Sequence, residues 1–336
     1  MRVGIVGAGS MGDAHAPAWK NLAKLGAELV GIQSAHHANA NALAKQYDLK
    51  AYPSYDELLA DVDIVDICVP TDFHRDLTVR AAQAGKHVVC EKPIALTLDD
   101  GRAMIAACEQ AGVRLFIAHV LRFFPPYASA QAVVGAGQIG KPAVIRLTRA
   151  GYQPRKAQNN WFIDETRSGG MILDLMIHDY DFARWLAGDV QRVFAKSARA
   201  IRPEAPGDYV LVTLRFASGA IAHIEGGWAY PPGFFRTSMD IAGTEGVLEW
   251  SSDKSETVET HLAVQPAQQA AEVGLPPSLD SETPFDVELR HFYDALVHDK
   301  PSSITTRDAM AALQIGLAAR ESVKTGRAIT LNQEAL

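Results

Sequence analysis

The sequence predicts an α/β protein: a doubly wound parallel sheet first, then a second part folded mainly as antiparallel strands. Three observations carry this. Over residues 1–120, short apolar and often β-branched runs alternate with helix-length segments, the rhythm of parallel βαβ units. A glycine-rich turn, Gly7-Ala8-Gly9-Ser10-Met11-Gly12, follows the first of those runs. Beyond residue 120 the rhythm changes to successive hairpin patterns. At about 100–200 residues per domain, 336 residues suggest two domains, expected over 1–120 and 121–336.

The elements follow in order. Residues 3–6 form a short strand, and a helix-like segment runs from the glycine turn to about residue 25. A strand over 28–33 precedes an alanine-rich helix over 39–47. A short helix at 56–59 leads to a β-branched strand at 64–69. The segment 77–84 is helical and closes at Gly85, and 87–90 is a strand. A helix over 98–111 stops at Gly112, and a strand follows over 114–118. In the second part, a helix at 125–134 leads to a strand at 142–149. A polar, aromatic loop precedes a helix over 170–186. Strands dominate 190–264. Residues 209–216, the turn Ser218-Gly219 and 220–228 read as a hairpin, continued by 236–242 and 246–250. Consecutive hairpins favour antiparallel pairing. Residues 265–283, rich in Pro, Gln, Ala and Ser, are expected to be a surface loop, and helices over 285–298 and 307–325 finish the chain.

Composition excludes several classes. Hydrophobic residues make up 48% and charged residues 21%, a globular balance that rules out wholesale disorder. The formal charge is −7, with no long basic run, which argues against nucleic acid or an anionic membrane as partner. The cysteines are Cys68, Cys90 and Cys108, an odd count, and the first two lie in apolar runs. They read as buried thiols of a reducing compartment rather than a disulfide framework or a zinc site, and no metal is expected. The chain opens directly on a strand without an apolar leader and has no run of about 18 apolar residues, so a cytoplasmic location is expected.

Three groups of residues carry chemistry. In the glycine turn, Gly7 permits a tight bend, Gly9 lets the backbone approach a pyrophosphate, and Gly12 allows close helix–strand packing. The following helix start offers N–H donors to phosphate, with Ser10 and Met11 in its first turn. A carboxylate that would hold the adenosine ribose of NAD belongs at the end of the second strand. The residues there are Gln33-Ser34-Ala35-His36-His37. A carboxylate would repel a 2′-phosphate, and Ser34 with His36 or His37 offers it partners. The cofactor is therefore NAD or NADP, with a lean to NADP. The second group is Pro70-Thr71-Asp72-Phe73-His74 with Glu91-Lys92-Pro93, both at carboxyl ends of parallel strands, where open α/β sheets bind ligands. The third is Gly169-Gly170 with Asp174 and His178. On one helix an i,i+4 carboxylate and imidazole share a face, and the carboxylate raises the ring's basicity. Taken alone, that pair also reads as a solvated helix face.

In this order and spacing the motifs resemble the glucose–fructose oxidoreductase / inositol dehydrogenase / MocA family. The carrying residues are Gly7, Gly9 and Gly12; Pro70, Thr71 and His74; Glu91-Lys92-Pro93; and Gly169-Gly170 followed by Asp174, His178 and Asp181. The resemblance implies an N-terminal NAD(P)-binding Rossmann domain. It also implies a C-terminal substrate-binding α/β domain whose large, mostly antiparallel open sheet serves a homodimer or homotetramer. The implied activity is an NAD(P)-dependent dehydrogenase or reductase of sugars, polyols or their derivatives. Lys92, Asp174 and His178 become catalytic residues. Pro70, Thr71 and His74 line the nicotinamide half of the cofactor, Glu91 and Lys92 border it, and the Lys92–Pro93 bond is expected to be cis.

On that basis His178, oriented by Asp174, takes the substrate proton, and Lys92 steadies the developing alkoxide. The alternative makes Lys92 the base. Substrate contacts are expected from His119, Arg122, Tyr152, Trp161, Asp174 and His178, with Asn159 and Asn160 in the same loop as Trp161, while Trp228 and Trp250 pack in the sheet. Two other classes compete: a glycosidase or lyase that oxidises its substrate transiently with bound NAD, and a non-catalytic NAD(P)H-binding regulator. A regulator has no need of Lys92, Asp174 and His178 together.

Overall fold

The computed structural model describes residues 1–152, 160–198, 209–230, 233–253, 258–262 and 282–332. Asn159 and most of the expected 265–283 loop lie outside them. The chain divides into two compact units, Met1–Phe123 with Ser278–Met310, and Phe124–Pro277 with Ala311–Leu336.

The first unit begins with β1 (Arg2–Val6), α1 (Ser10–Asn21), β2 (Glu28–Gln33), α2 (His37–Tyr47), β3 (Lys50–Tyr52), α3 (Tyr55–Asp61) and β4 (Ile64–Ile67). It continues through α4 (His74–Gln83), β5 (His87–Glu91), α5 (Leu98–Ala111) and β6 (Leu115–Ala118). The strands pair in the order β3-β2-β1-β4-β5-β6, all parallel. The order reverses at β1/β4, so the crevice at their carboxyl ends is the place where such sheets take ligands. The strand interiors are mainly apolar because helices cover both faces; Asp66, within β4, is nonetheless charged and fully buried. Local signals set the boundaries. Thr97 caps α5 by accepting the Asp100 amide at 3.1 Å, and Gly112 ends it at φ +66.

The second unit contains α6 (Pro125–Gly135), β7 (Pro142–Gly151), α7 (Glu165–Ser168), α8 (Gly170–Asp174), α9 (Ile177–Ala187) and β8 (Val190–Ala198). Strands β9 (Tyr209–Phe216), β10 (Ile221–Gly227), β11 (Phe235–Gly243), β12 (Gly246–Ser251) and β13 (Glu259–Leu262) follow. Then come α10 (Pro284–Val297), α11 (Thr306–Thr325) and β14 (Ile329–Thr330). The eight-stranded sheet runs β13-β12-β11-β7-β10-β9-β8-β14. It is antiparallel except for β7 and β10, which pair in parallel. The β9–β10 hairpin therefore lies beside a strand that precedes it by several elements.

Three details depart from the sequence reading. The helix expected over 170–186 is two helices, α8 and α9, broken at Leu175–Met176. The break frees two apolar side chains for separate partners. Leu173 packs where a Cβ on Gly316 would lie 2.4 Å from it, and Met176 packs equally close over Gly226 of β10. The single division near residue 120 also meets a return crossing. Leu289, Phe292 and Tyr293 of α10 are buried in the same core as Val3, Ile5 and Trp19, and Phe292 stacks on Phe116 at 5.1 Å. A capping box between Thr283 and Asp286 starts α10, and Asn21 donates to Asp286 at 2.8 Å, which pins α10 to the end of α1. The third is α4, which starts at His74, three residues before the expected start.

Candidate active site

In the first unit the glycine turn is shaped by close backbone approach. Gly7 has φ +112, and a Cβ there would sit 2.2 Å from the Cys68 carbonyl oxygen; one on Gly12 would sit 2.1 Å from the Gly7 carbonyl oxygen. Any side chain at either position would force β1, β4 and α1 apart. Gly9 differs: a Cβ would meet nothing within 4 Å. Gly9 is the N-cap of α1 and offers no side-chain bond to the first-turn amides. Ser10 is exposed and Met11 half-buried. Free N–H donors, the positive end of the helix dipole and open space over Gly9 together fit a pyrophosphate.

At the end of β2, Ser34 is half-buried and accepts the His36 amide at 3.3 Å, while His36, the N-cap of α2, is exposed. The Ser34 hydroxyl proton remains available to an acceptor.

At the ends of β4 and β5, Pro70 and Lys92 are half-buried and Thr71 is buried. Glu91 accepts the Lys92 amide at 3.1 Å, and the Lys92–Pro93 bond is cis. His74 has no exposed surface. Its Nδ1 lies 2.9 Å from the Pro93 carbonyl and its Nε2 3.1 Å from the Val69 carbonyl. Burial lowers its pKa despite those carbonyls. His74 thus sits buried between the two strand ends, and as a neutral ring it donates to one of the two carbonyls. Arg122 departs from its reading as a substrate contact. Its guanidinium is buried, donates to the Ser303 carbonyl at 2.9 Å and lies 3.6 Å from Asp308, holding the segment between α10 and α11. His119, just past β6, is 1% exposed.

In the second unit Asp174 ends α8 and is buried, and His178, half-buried, is the second residue of α9. The uninterrupted-helix argument for their common face does not hold, because the chain turns between them. Trp161 is half-buried and stacks on Phe162 at 4.1 Å. Tyr152 is 40% exposed and bridges Ala229 at the end of β7. Asp181 of α9 is 1% exposed.

The same architecture recurs among solved structures. Levoglucosan dehydrogenase in complex with NADH and levoglucosan superposes with a TM-score of 0.88 at 23% identity, over 98% of this chain and 99% of that one. The decisive match is to family models. Residues 1–119 match the oxidoreductase family with NAD-binding Rossmann fold, and residues 127–249 match the GFO/IDH/MocA C-terminal domain. The chain belongs to the GFO/IDH/MocA oxidoreductase family. Among curated members, 1,5-anhydro-D-fructose reductase of Ensifer adhaerens is 32% identical over 90% of this chain and 91% of its own length. Myo-inositol 2-dehydrogenase of Thermotoga maritima is 31% identical over 99% of both chains. As a GFO/IDH/MocA oxidoreductase the chain has an NAD-binding Rossmann domain. No helix among the described residues is long and apolar enough to cross a membrane.

Two buried polar groups in this GFO/IDH/MocA chain escaped the sequence reading. Arg149 of β7 and Asp179 of α9 form a two-bond pair at 2.7 and 3.0 Å. The signal was faint, an arginine in an otherwise alternating strand. The other group lies behind the glycine turn. His15, Asp66 and Cys68 bring ligand-type atoms within 4.8 Å of one another. Their chemistry is that of a hydrogen-bonded His–Asp pair with a thiol beside it, since burial pushes the Cys68 thiol up and keeps it protonated. The charge of Asp66 within Ile64-Val65-Asp66-Ile67 was the available clue.

Proposed function

We propose that this chain transfers a hydride between a nicotinamide cofactor and a sugar, polyol or sugar-derivative alcohol or ketone. The observation that carries this reading is the placing, at the carboxyl edge of one parallel sheet, of a phosphate-fitting glycine turn after β1 and the Glu91-Lys92-Pro93 turn after β5. Relatives named as an inositol dehydrogenase and an anhydrofructose reductase support the substrate class.

Gly7, Gly9, Ser10, Met11 and Gly12 would hold the pyrophosphate, Pro70 and Thr71 would border the nicotinamide, and Glu91 would accept hydrogen bonds from the nicotinamide ribose. When bound, the cofactor supplies the hydride acceptor or donor. The chain's own residues manage the proton and the charge. His178, supported by Asp174, accepts the hydroxyl proton in oxidation and returns it in reduction. Lys92 donates to the same oxygen and stabilises its negative charge. Tyr152 and Trp161 offer aromatic faces to the apolar side of a sugar ring. Ser34 and His36, with no carboxylate beside them, leave NADP acceptable alongside NAD. The outward face of the second sheet, with Phe194, Leu211 and Ile221 exposed, is the surface for a homodimer or homotetramer.

The test is kinetic. Lys92→Ala and His178→Ala should each lower turnover by about 10²–10⁴, the range of a lost acid–base group, while NADH titrates as in the parent protein. Near-parental turnover in both variants would refute the scheme.

A further inference from the structure

The polar cluster behind the glycine turn has no part in that chemistry, yet it touches the cofactor edge. His15 lies one turn into α1 and has no exposed surface; Asp66 and Glu288 have none either, and Glu91 is 5% exposed. His15 Nδ1 is 2.8 Å from Asp66 Oδ2, and the same oxygen accepts the Trp19 indole N–H at 2.7 Å. On the other side of the ring, Nε2 is 3.3 Å from Glu91 Oε1, an ion-pair distance without hydrogen-bond alignment. The second Glu91 oxygen accepts the Lys92 amide. The ring thus lies with one nitrogen bonded to Asp66 and the other facing Glu91. The remaining neighbours are Cys68, whose Sγ is 3.5 Å from Nδ1, the Phe285 ring at 5.5 Å, and Glu288 of α10.

The charges are consistent with this. Burial by itself would discharge the His15 ring, but the Asp66 carboxylate bonded to it opposes burial, and the pKa is raised well above the ordinary histidine value. Burial foremost raises the Glu288 carboxyl well above the usual carboxylate range; His15 opposes this, and Glu91 and Asp66 add to it.

We propose that His15 is a positioning residue for the cofactor. Set between Asp66 and Glu91, its ring holds the Glu91 carboxylate turned toward the Lys92 amide, where it can receive the nicotinamide ribose. The proposal rests on the ribose role assigned to Glu91 above. It joins α1, which carries the pyrophosphate turn, to the end of β5. Gln in place of His15 would turn one amide group toward both carboxylates; it can donate to one, and its oxygen repels the other.

The experiment titrates NADH and ADP into the wild-type chain, His15→Gln, Glu91→Gln and the double variant. ADP reports the pyrophosphate half of the site, and NADH reports both halves. His15→Gln should bind ADP as the wild type does and NADH about tenfold more weakly, about the 1.4 kcal/mol of one lost polar contact. Glu91→Gln should show a similar loss, and the double variant should lose no more than Glu91→Gln alone. Equal losses of ADP and NADH in His15→Gln, or additive losses in the double variant, would overturn the proposal. If Glu91→Gln weakens NADH and His15→Gln does not, the positioning claim alone falls. If Glu91→Gln binds NADH normally, the ribose role falls and the positioning claim with it. Should His15→Gln not fold, the ring nitrogens of the wild-type chain decide: ¹⁵N spectra at about pH 7 should show both protonated, and a neutral ring overturns the proposal.

Discussion

Arg149 and Asp179 show what a single buried charge demands. The guanidinium lies against the Asp179 carboxylate and the Tyr127 hydroxyl. Burial opposes the Arg149 charge, and Asp179 overcomes that opposition. Asp179→Asn keeps the volume and removes the counter-charge. It should cost about 3–5 kcal/mol of stability, the cost of leaving a buried charge without its partner, read as a lower denaturant midpoint. His15 makes a second residue-scale prediction. Its raised pKa means that the folded chain holds a proton the unfolded chain releases. The stability it contributes is complete below about pH 6.5 and is lost as pH rises through the folded value. The stability gap between wild type and His15→Gln should therefore be wide at low pH and narrow as the solution becomes alkaline. A gap that widens with pH would contradict the assignment. Neither group announced itself in the sequence, because a lone arginine in a strand or a lone histidine in a helix reads the same whether it is solvated or paired.

At the scale of elements, the glycine turn separates two kinds of constraint. Gly12→Ala places a methyl 2.1 Å from the Gly7 carbonyl oxygen, so α1 must move and the melting temperature should drop. Gly9→Ala places its methyl in open space, so the fold should melt normally. The same methyl occupies the approach to the helix amides, and NADH affinity should fall about tenfold or more. Thermal melts and NADH titrations of the two variants give opposite patterns if the turn holds phosphate. This part of the fold was legible in advance, because strand, glycine turn and helix are encoded by neighbouring residues. The helix after Gly170 was not. Its interruption at Leu175–Met176 depends on where Leu173 and Met176 find partners, Gly316 and Gly226, which are remote in sequence. The parallel pairing of β7 with β10 was hidden for the same reason, since hairpin patterns report only neighbours.

For the whole molecule, the alternation of strands and helices gave the first sheet, and the motifs gave the family. The return of α10 to the first unit was not readable, because its apolar stripe fits any core; Phe292 stacking on Phe116 and the Asn21–Asp286 bond reveal which. The second sheet carries a whole-molecule prediction. Phe194 and Leu211 are exposed on neighbouring strands, β8 and β9, on the face opposite the buried Val193, Ala195, Val210 and Val212. With the homodimer or homotetramer face proposed above, Leu211→Arg should leave the fold intact and give a monomer by sedimentation. An unchanged sedimentation coefficient would place any interface elsewhere. The acidic net charge of −7 has a related consequence. The overall field does not draw in a polyanionic dinucleotide, so its binding depends on local donors at the start of α1.

The most direct measurement is nicotinamide absorbance when the wild-type chain is mixed with NAD or NADP and a panel of sugars and polyols. The account predicts a net, substrate-dependent rise in reduced nicotinamide with at least one polyol or sugar, matched mole for mole by the carbonyl product. Conversion of a substrate with no net change in nicotinamide, or no turnover of any member of the panel in either direction, would contradict it.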